Sequence, residues 1–247
     1  MLYRLDHTTS TNDDAKEEKY THGDIIWAEH QSSGRGQRGH TWLSTEGLNL
    51  TFSVVLEPRF LPISRQFQIS RIAALALCDT MHDYGINTKI KWTNDIYVED
   101  RKLVGILIEN RLQGTTLARM IIGIGINVNQ RAFDPSLPNP TSMVGEMGCS
   151  EDLNREEVLQ KFHSHMMSLY ATLQSGDHQE VINRYHAQLY RLGEWHSYRL
   201  ADGTLFEGMI EGVKDSGELI ICNLDNTSRG YAFRDVEFII GSRDNKY

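Results

Sequence analysis

The sequence predicts an α+β protein in which a larger unit of mixed strands and helices precedes a small all-β unit. Strand-like runs at 25–29, 48–56, 89–93, 102–109 and 117–128 alternate with segments whose apolar residues recur at helical spacing, at 63–86, 154–173 and 177–189. Past Trp195 the texture changes to five short strand candidates in about fifty residues. The composition agrees: 247 residues with 40% hydrophobic and 23% charged side chains suit a chain with a sizeable core.

Each element has a local reason. Ser10 and Thr11 offer hydroxyl caps with an acid three residues on, predicting a short helix start before Asp14 to Glu18. Ile25 to Glu29 reads as a buried strand that runs into a loop too rich in glycine for regular structure. Leu48, Leu50, Phe52 and Val54 alternate with polar residues and predict a strand. Between 63 and 86 the spacing predicts the main core helix, with Ser64 as cap and Gly85 as stop. The pair Asn94 and Asp95 breaks up the next strand region, and Gln113 with Gly114 predicts a hairpin turn. Pro135, Pro138 and Pro140 forbid a helix and predict an irregular connector. Asn154 with Glu157, then Asp177 with Glu180, predict two capped helices. The turns at Asp202 and Gly203, at 215–217, and at Asp225 and Asn226 separate the five C-terminal strands and suggest a small barrel. The expected division is 1–194 and 195–247.

Charge and cysteine usage exclude several classes. With 33 acidic against 25 basic residues the formal charge is -8, and no lysine or arginine run forms a basic face, so nucleic acid is not an expected partner. No apolar stretch reaches membrane-spanning length, and the start of the chain lacks the features of a secretory signal. Cys78, Cys149 and Cys222 are odd in number and scattered, which argues against a zinc site or a disulfide framework. A soluble cytoplasmic protein is expected, as a monomer or a homodimer.

Four stretches carry possible chemistry. Gly34, Arg35, Gly36, Gln37, Arg38 and Gly39 let the backbone approach a ligand and bring positive charge beside it; the spacing is neither a P-loop nor a dinucleotide fingerprint, and a surface turn is the other reading. Lys91, Trp92, Asn94 and Asp95 place a cation, an amide and a carboxylate at one strand end, where Asp95 would hold a metal or accept a proton; a plain hairpin turn is the alternative. Lys102 opens an apolar strand in which Gly105 leaves room for a ligand, though a solvated lysine at a strand edge reads as well. Gly123 and Gly125 weaken a buried strand, so something packs against that backbone, a ligand or a neighbouring element, and Asn127 offers a donor and an acceptor together.

In order along the chain, Ser10, Thr11 and Asn12, the Gln31 to Gly39 loop with Trp42, Lys91 to Asp95, Arg101 to Glu109, and Gly123 to Asn127 closely resemble the biotin protein ligases. The resemblance implies a mixed sheet flanked by helices, of the class II aminoacyl-tRNA synthetase-like kind, followed by an SH3-like β-barrel. It also implies an ATP-dependent ligase that activates biotin as biotinyl-5'-AMP and passes it to one lysine of a carboxylase's biotin carrier domain. On that resemblance Ser10, Thr11, Asn12, Gln31, Arg35, Gly36, Gln37, Lys102 and Gly105 would hold biotin. Arg38, Trp42, Lys91, Asn94 and Asn127 would hold the nucleotide, with Trp42 covering adenine and Asn127 reading its edge. Lys102, Arg35 and Asp95 would act in the chemistry, Asp95 as a Mg2+ contact or as the acceptor of the carrier lysine's proton. Many relatives carry arginine where this chain has Gln37, and Arg38 stands next to it as a substitute. Only nine residues precede Ser10, so DNA-binding repressor activity is not expected. A lipoate ligase and a non-catalytic biotin-binding protein are the competing readings.

Overall fold

The computed structural model describes residues 1–36, 41–114 and 116–240, and every structural statement below concerns those residues. Seven strands build one mixed sheet: β1 (Leu2–Thr8), β2 (Ile25–Gln31), β3 (Leu50–Leu56), β4 (Lys89–Lys91), β5 (Asp95–Val98), β6 (Arg101–Gln113) and β7 (Thr116–Ile126). They lie in the order β1-β2-β3-β7-β6-β5-β4. The pair β1 and β2 runs parallel, joined through the crossover that carries α1 (Thr11–Asp14); the remaining pairs are antiparallel.

Strand β3 is buried along its whole length, so both faces of the sheet are covered there. Leu50, Phe52, Val54 and Leu56 join the main core, whereas Thr51 and Ser53 alternate onto the opposite face. The polar side chains of an otherwise apolar strand thus turn toward α1 and the first motif. The β6–β7 hairpin closes at Gln113 opposite Thr116 and uses Gly114 at a φ of 61°.

Behind the main core lie α2 (Phe67–His82), α4 (Arg155–Gln174) and α5 (His178–Ala187). Gly85 ends α2 as expected, with φ at 72° and Ile86 N donating back to Met81 O at 3.0 Å. Asn154 and Asp177 cap their helices through Glu156 and Glu157 N and through Glu180 N respectively.

Several local expectations need correction. A 3-10 turn at Ile63–Arg65 precedes α2, so Gln66, not Ser64, stands at its N-cap. Ser10 is extended before α1 but makes no capping bond, and the helix stops after Asp14 instead of continuing to Glu18. Asp95 begins strand β5 and is not a turn residue. Strand β1 and the short helix α3 (Met143–Met147), capped by Ser142, had no clear periodic signal.

The C-terminal residues form a five-stranded antiparallel sheet in the order β11-β10-β9-β8-β12. Its strands are β8 (Trp195–Leu200), β9 (Leu205–Val213), β10 (Leu219–Asn223), β11 (Ser228–Tyr231) and β12 (Val236–Phe238). One hydrophobic core continues from the large sheet and its helices into this sheet, through Tyr185, Tyr198, Ile210 and Leu219. Arg71 on α2 is fully buried at the junction, where it bonds Val213 O at 2.9 Å, Lys214 O at 3.0 Å and Asp215 at 2.7 Å. Trp92 Nε1 donates to Gly217 O at 2.9 Å.

Candidate active site

One large cleft, about 1230 Å³, opens on the face of the seven-stranded sheet and draws on every segment singled out from the sequence. At one end it is bounded by Ser10, Thr11, Gln31 and Gly123; at the other by Lys91, Asp95, Lys102 and the Pro138 to Pro140 connector. The small sheet contributes Phe233, Glu237 and Phe238 to the same wall.

The first end is a buried polar network. Ser10, Thr11 and Asn12 are each almost wholly buried beside the end of β2. Gln31 Oε1 accepts from Thr11 N at 2.8 Å, and Thr11 Oγ1 lies 3.2 Å from the same oxygen. With its oxygen committed, Gln31 keeps its amide nitrogen for another acceptor. Asn12, expected to contact the ligand, instead directs both polar atoms into the protein. Its Oδ1 lies 2.6 Å from Ser53 Oγ, and its Nδ2 donates to Glu109 at 2.7 Å and more distantly to Leu107 O. A β-carbon on Gly123 would overlap the Asn12 carboxamide, so that glycine exists to seat Asn12.

The described flanks of the glycine loop pair with each other, Arg35 being bridged to Thr41 and Trp42 N donating to Gly34 O at 2.9 Å. Gly34 and Gly36 accompany the turn; Gln37 and Arg38 lie outside the described residues, as do Gly39 and His40. The Arg35 guanidinium lines the cleft but is paired with Asp13 at 2.9 Å and Glu109 at 3.0 Å. Lys16 joins the cluster at 2.7 Å from Asp13 and 3.3 Å from Glu109. The Lys16 ammonium first, and Arg35 after it, hold the Asp13 carboxyl below the usual carboxylate range, while Asp13 raises Lys16.

Trp42 lies flat across the sheet. Gly105 and Gly125 are register partners on β6 and β7; a β-carbon on Gly125 would overlap the indole, and one on Gly105 would come within 2.9 Å of it. The packing demand read from Gly125 is therefore met by Trp42, whose Nε1 is buried without a hydrogen-bond partner.

At the second end Lys102 Nζ sits 2.8 Å from Asp95 and 5.7 Å from the Trp42 ring centre. Its backbone is pinned on both sides, Lys102 N donating to Asn139 O and Thr141 N donating to Lys102 O. Lys91 is held over Tyr97 at 5.3 Å and Phe238 at 4.9 Å, so the small sheet supplies one of the two rings. Burial, reinforced by the Asp95 charge, pushes the Tyr97 hydroxyl well above its ordinary value.

Two residues assigned to the nucleotide are occupied elsewhere. Asn94 lines the cleft, but its amide donates to Ile106 O and its oxygen accepts from Thr93 Oγ1 at 2.8 Å. Asn127 does not line the cleft: it is buried, donates through Nδ2 to Thr141 O at 2.9 Å, and braces the connector after β7. Its Nδ2 thus acts as a backbone brace in this structure. No group of three or more histidine, cysteine or acidic side chains is gathered among the described residues; beside Lys102, Asp95 offers a carboxylate that would hold a Mg2+ ion.

Residues to which the motifs gave no role complete the site: Ser53, Asp13 and Glu109 beneath the first end, and Phe233, Glu237 and Phe238 from the C-terminal unit. Ser53 had a signal, a lone hydroxyl within the run Phe52 to Leu56. Nothing local marks Phe238, which arrives by tertiary packing.

The fold and the cleft define a protein ligase. The chain belongs to the biotin/lipoate A/B protein ligase family, whose model matches residues 1–127. Among its members the chain groups with the biotin protein ligases. It is 31% identical to the biotin--[acetyl-CoA-carboxylase] ligase of Paracoccus denitrificans over 226 residues, 88% of this chain and 92% of that protein. It is 28% identical to the bifunctional ligase/repressor BirA of Bacillus subtilis over 94% of this chain and 71% of the relative. Among solved structures, the biotin protein ligase from Aquifex aeolicus in complex with biotin and ATP superposes with a TM-score of 0.82 at 26% identity, covering 97% of this chain and 99% of that one.

Proposed function

We propose that the cleft joins biotin to ATP and then delivers the biotinyl group to one lysine of a carboxylase's biotin carrier domain. The observation that supports this most is the gathering of Thr11, Gln31, Arg35 and Lys102 around a single cavity large enough for two substrates. The polar first end suits a small neutral ring with donors and acceptors, and the cationic second end suits phosphates.

In the first step a carboxylate oxygen of biotin attacks the α-phosphorus of ATP and the bond to pyrophosphate breaks. Two anions must approach, and the Lys102 ammonium stands where their charges meet. Its pairing with Asp95 positions it without a ligand; phosphate takes over as partner when ATP binds. A Mg2+ ion would be held on the protein side by Asp95 and would supply charge neutralisation of the phosphates. In the second step the carrier's neutral lysine amine attacks the acyl carbon, AMP leaves, and the amine loses a proton, for which Asp95 is the nearest carboxylate to Lys102. The mixed anhydride survives only where water is kept out, and the indole of Trp42 supplies cover on that side of the cleft.

The reading extends to chain organisation: a catalytic domain over 1–194 and a second domain over 195–247, whose described residues, up to 240, include the small sheet beside the cleft. No helix among the described residues is long and apolar enough to cross a membrane, which fits an enzyme meeting its carrier in the cytoplasm.

Pyrophosphate exchange measured with biotin and with lipoate tests the first step, and mass gain on a biotin carrier domain tests the second. Exchange driven by biotin followed by modification of the carrier is the expected result. Preference for lipoate, or tight biotin binding with no transfer, would replace the proposal with one of its two competitors.

A further inference from the structure

Lys102 lies beyond the end of β7. Val104 pairs with Ile126, the last residue of that strand, and at Lys102 the neighbouring place is taken by the connector, with Pro140 in parallel register beside it. Lys102 N donates to Asn139 O at 2.7 Å, and Thr141 N donates to Lys102 O at 3.0 Å. On its other side Lys102 pairs with Tyr97 of β5. A connector with proline at 135, 138 and 140 lacks those backbone donors and needs a hold from outside itself to keep this register. Glu146 on α3 supplies one. Its side chain is 10% exposed, and its two oxygens serve different segments. Oε1 accepts from Thr141 Oγ1, directly after the connector, and Oε2 accepts from Arg101 Nη2 at 3.1 Å, one residue before Lys102. The base under Glu146 is itself fixed, since Met143 N donates to Asn127 O at 3.0 Å and Val144 N to Val128 O at 3.1 Å, just past β7. One carboxylate thus clasps the two chain segments that meet at Lys102.

We propose that Glu146 is a positioning residue for Lys102: by tying Thr141 and the connector to the start of β6, it fixes where the Lys102 ammonium stands. The inference rests on the function proposed above, in which that ammonium meets the charges of biotin and ATP. In that reading phosphate replaces Asp95 as the partner of Lys102, so with substrates bound the ammonium is placed from its backbone end. The stem of a lysine is long and flexible, and a shifted base carries the head away from the reacting oxygens. A misplacement of about 1 Å is enough to cost up to about 10²-fold in rate. Glu146 does not line the cleft, so its removal acts on the placement of Lys102 and not on the binding of biotin.

The test is single-turnover formation of biotinyl-5'-AMP by the full chain, with saturating biotin and Mg-ATP, read in two backgrounds. Glu146→Ala is expected to slow formation about tenfold in the otherwise wild-type protein and less than about twofold in Lys102→Ala, because a clasp for Lys102 has nothing to place once the ammonium is gone. Biotin affinity, measured by calorimetry, is expected to change by less than about twofold. Glu146→Gln keeps an acceptor for Thr141 Oγ1 and is expected to recover formation to within about threefold of wild type. Where Glu146→Ala lowers the folded fraction, Thr141→Val, which removes the hydroxyl and keeps the size, is read in its place with the same pattern expected. A role in stability alone would slow both backgrounds by the same factor. Equal slowing in the two backgrounds, a parallel loss of biotin affinity, or unimpaired formation by Glu146→Ala would overturn the inference, while biotin-dependent adenylate formation by the wild type leaves the proposed function standing. Absence of adenylate from the wild type would overturn both.

Discussion

The two ends of the cleft are built by opposite means. The Thr11 end is buried, and its uncharged hydroxyl and amide groups are satisfied by short hydrogen bonds inside the protein, so its geometry exists before any ligand arrives. The Lys102 end is partly exposed and charged, and its cations are paired with the protein's own carboxylates and rings, which a ligand must replace. The difference teaches how an acidic protein handles two anionic substrates. Its first end reads shape and hydrogen-bond polarity without charge, and its second end stores cations in pairs whose exchange costs little because solvent screens them.

The contrast can be broken most strongly at the charged end. Lys102→Ala is expected to lower single-turnover adenylate formation by about 10²- to 10³-fold, the scale of one lost electrostatic stabiliser, with melting temperature little changed. Near-normal formation would remove Lys102 from the chemistry. Next in size, Gly123→Ala drives a methyl into the Asn12 carboxamide and is expected to cost about 1–3 kcal/mol of stability by overpacking. It should also raise KM for biotin more than KM for ATP; an equal rise in both would mean that Asn12 does not belong to one end alone. A milder perturbation is salt. Raising ionic strength from about 0.05 to about 0.5 M is expected to weaken ATP binding several-fold and biotin binding less than about twofold, since screening acts on exposed charges. Parallel weakening would erase the distinction.

The smallest effect concerns Asp13. Its carboxyl titrates below the ordinary range because of Lys16 and then Arg35, so the contribution of these contacts is complete above the unfolded value and disappears as pH falls through the lowered folded value. The stability difference between wild type and Asp13→Asn is expected to stay level from pH 8 to about 5 and to decline as pH falls below about 4, and to remain below about 0.5 kcal/mol because these groups are half exposed. A difference that instead grows on acidification would reverse the assigned sign.

The elements that were legible in the sequence are those with strong local causes. Asn154 and Asp177 announce their helices through side-chain caps, Gly85 ends α2 through a backbone angle that other residues resist, and the spacing of 67–81 marks the core helix. Strand β1 and helix α3 were missed because they are short and owe their form to neighbours. For the site, residue types in order placed the cleft correctly but could not tell an amide that meets a ligand from one that braces the chain. Asn12, Asn94 and Asn127 all bond inward, because an asparagine beside open backbone groups meets its nearest donors and acceptors first. Gly123 and Gly125 were read as close-packing positions, and the occupants are two side chains of this protein, Asn12 and Trp42.

The burial of Arg71 bears on whether the small sheet is a detachable part. A guanidinium with no exposed surface finds its acceptors at the end of β9 and in the turn after it, at Val213, Lys214 and Asp215, and two residues further on Gly217 O accepts from Trp92 Nε1 while the glycine lies against Phe67. A graft of the small sheet from a relative would therefore fit only if its β9–β10 turn reproduced these acceptors and a residue without a side chain at 217. The stretch 213–217 is in effect the key of a lock whose tumblers lie in α2 and beside β4, so the two sheets are bound to diverge together.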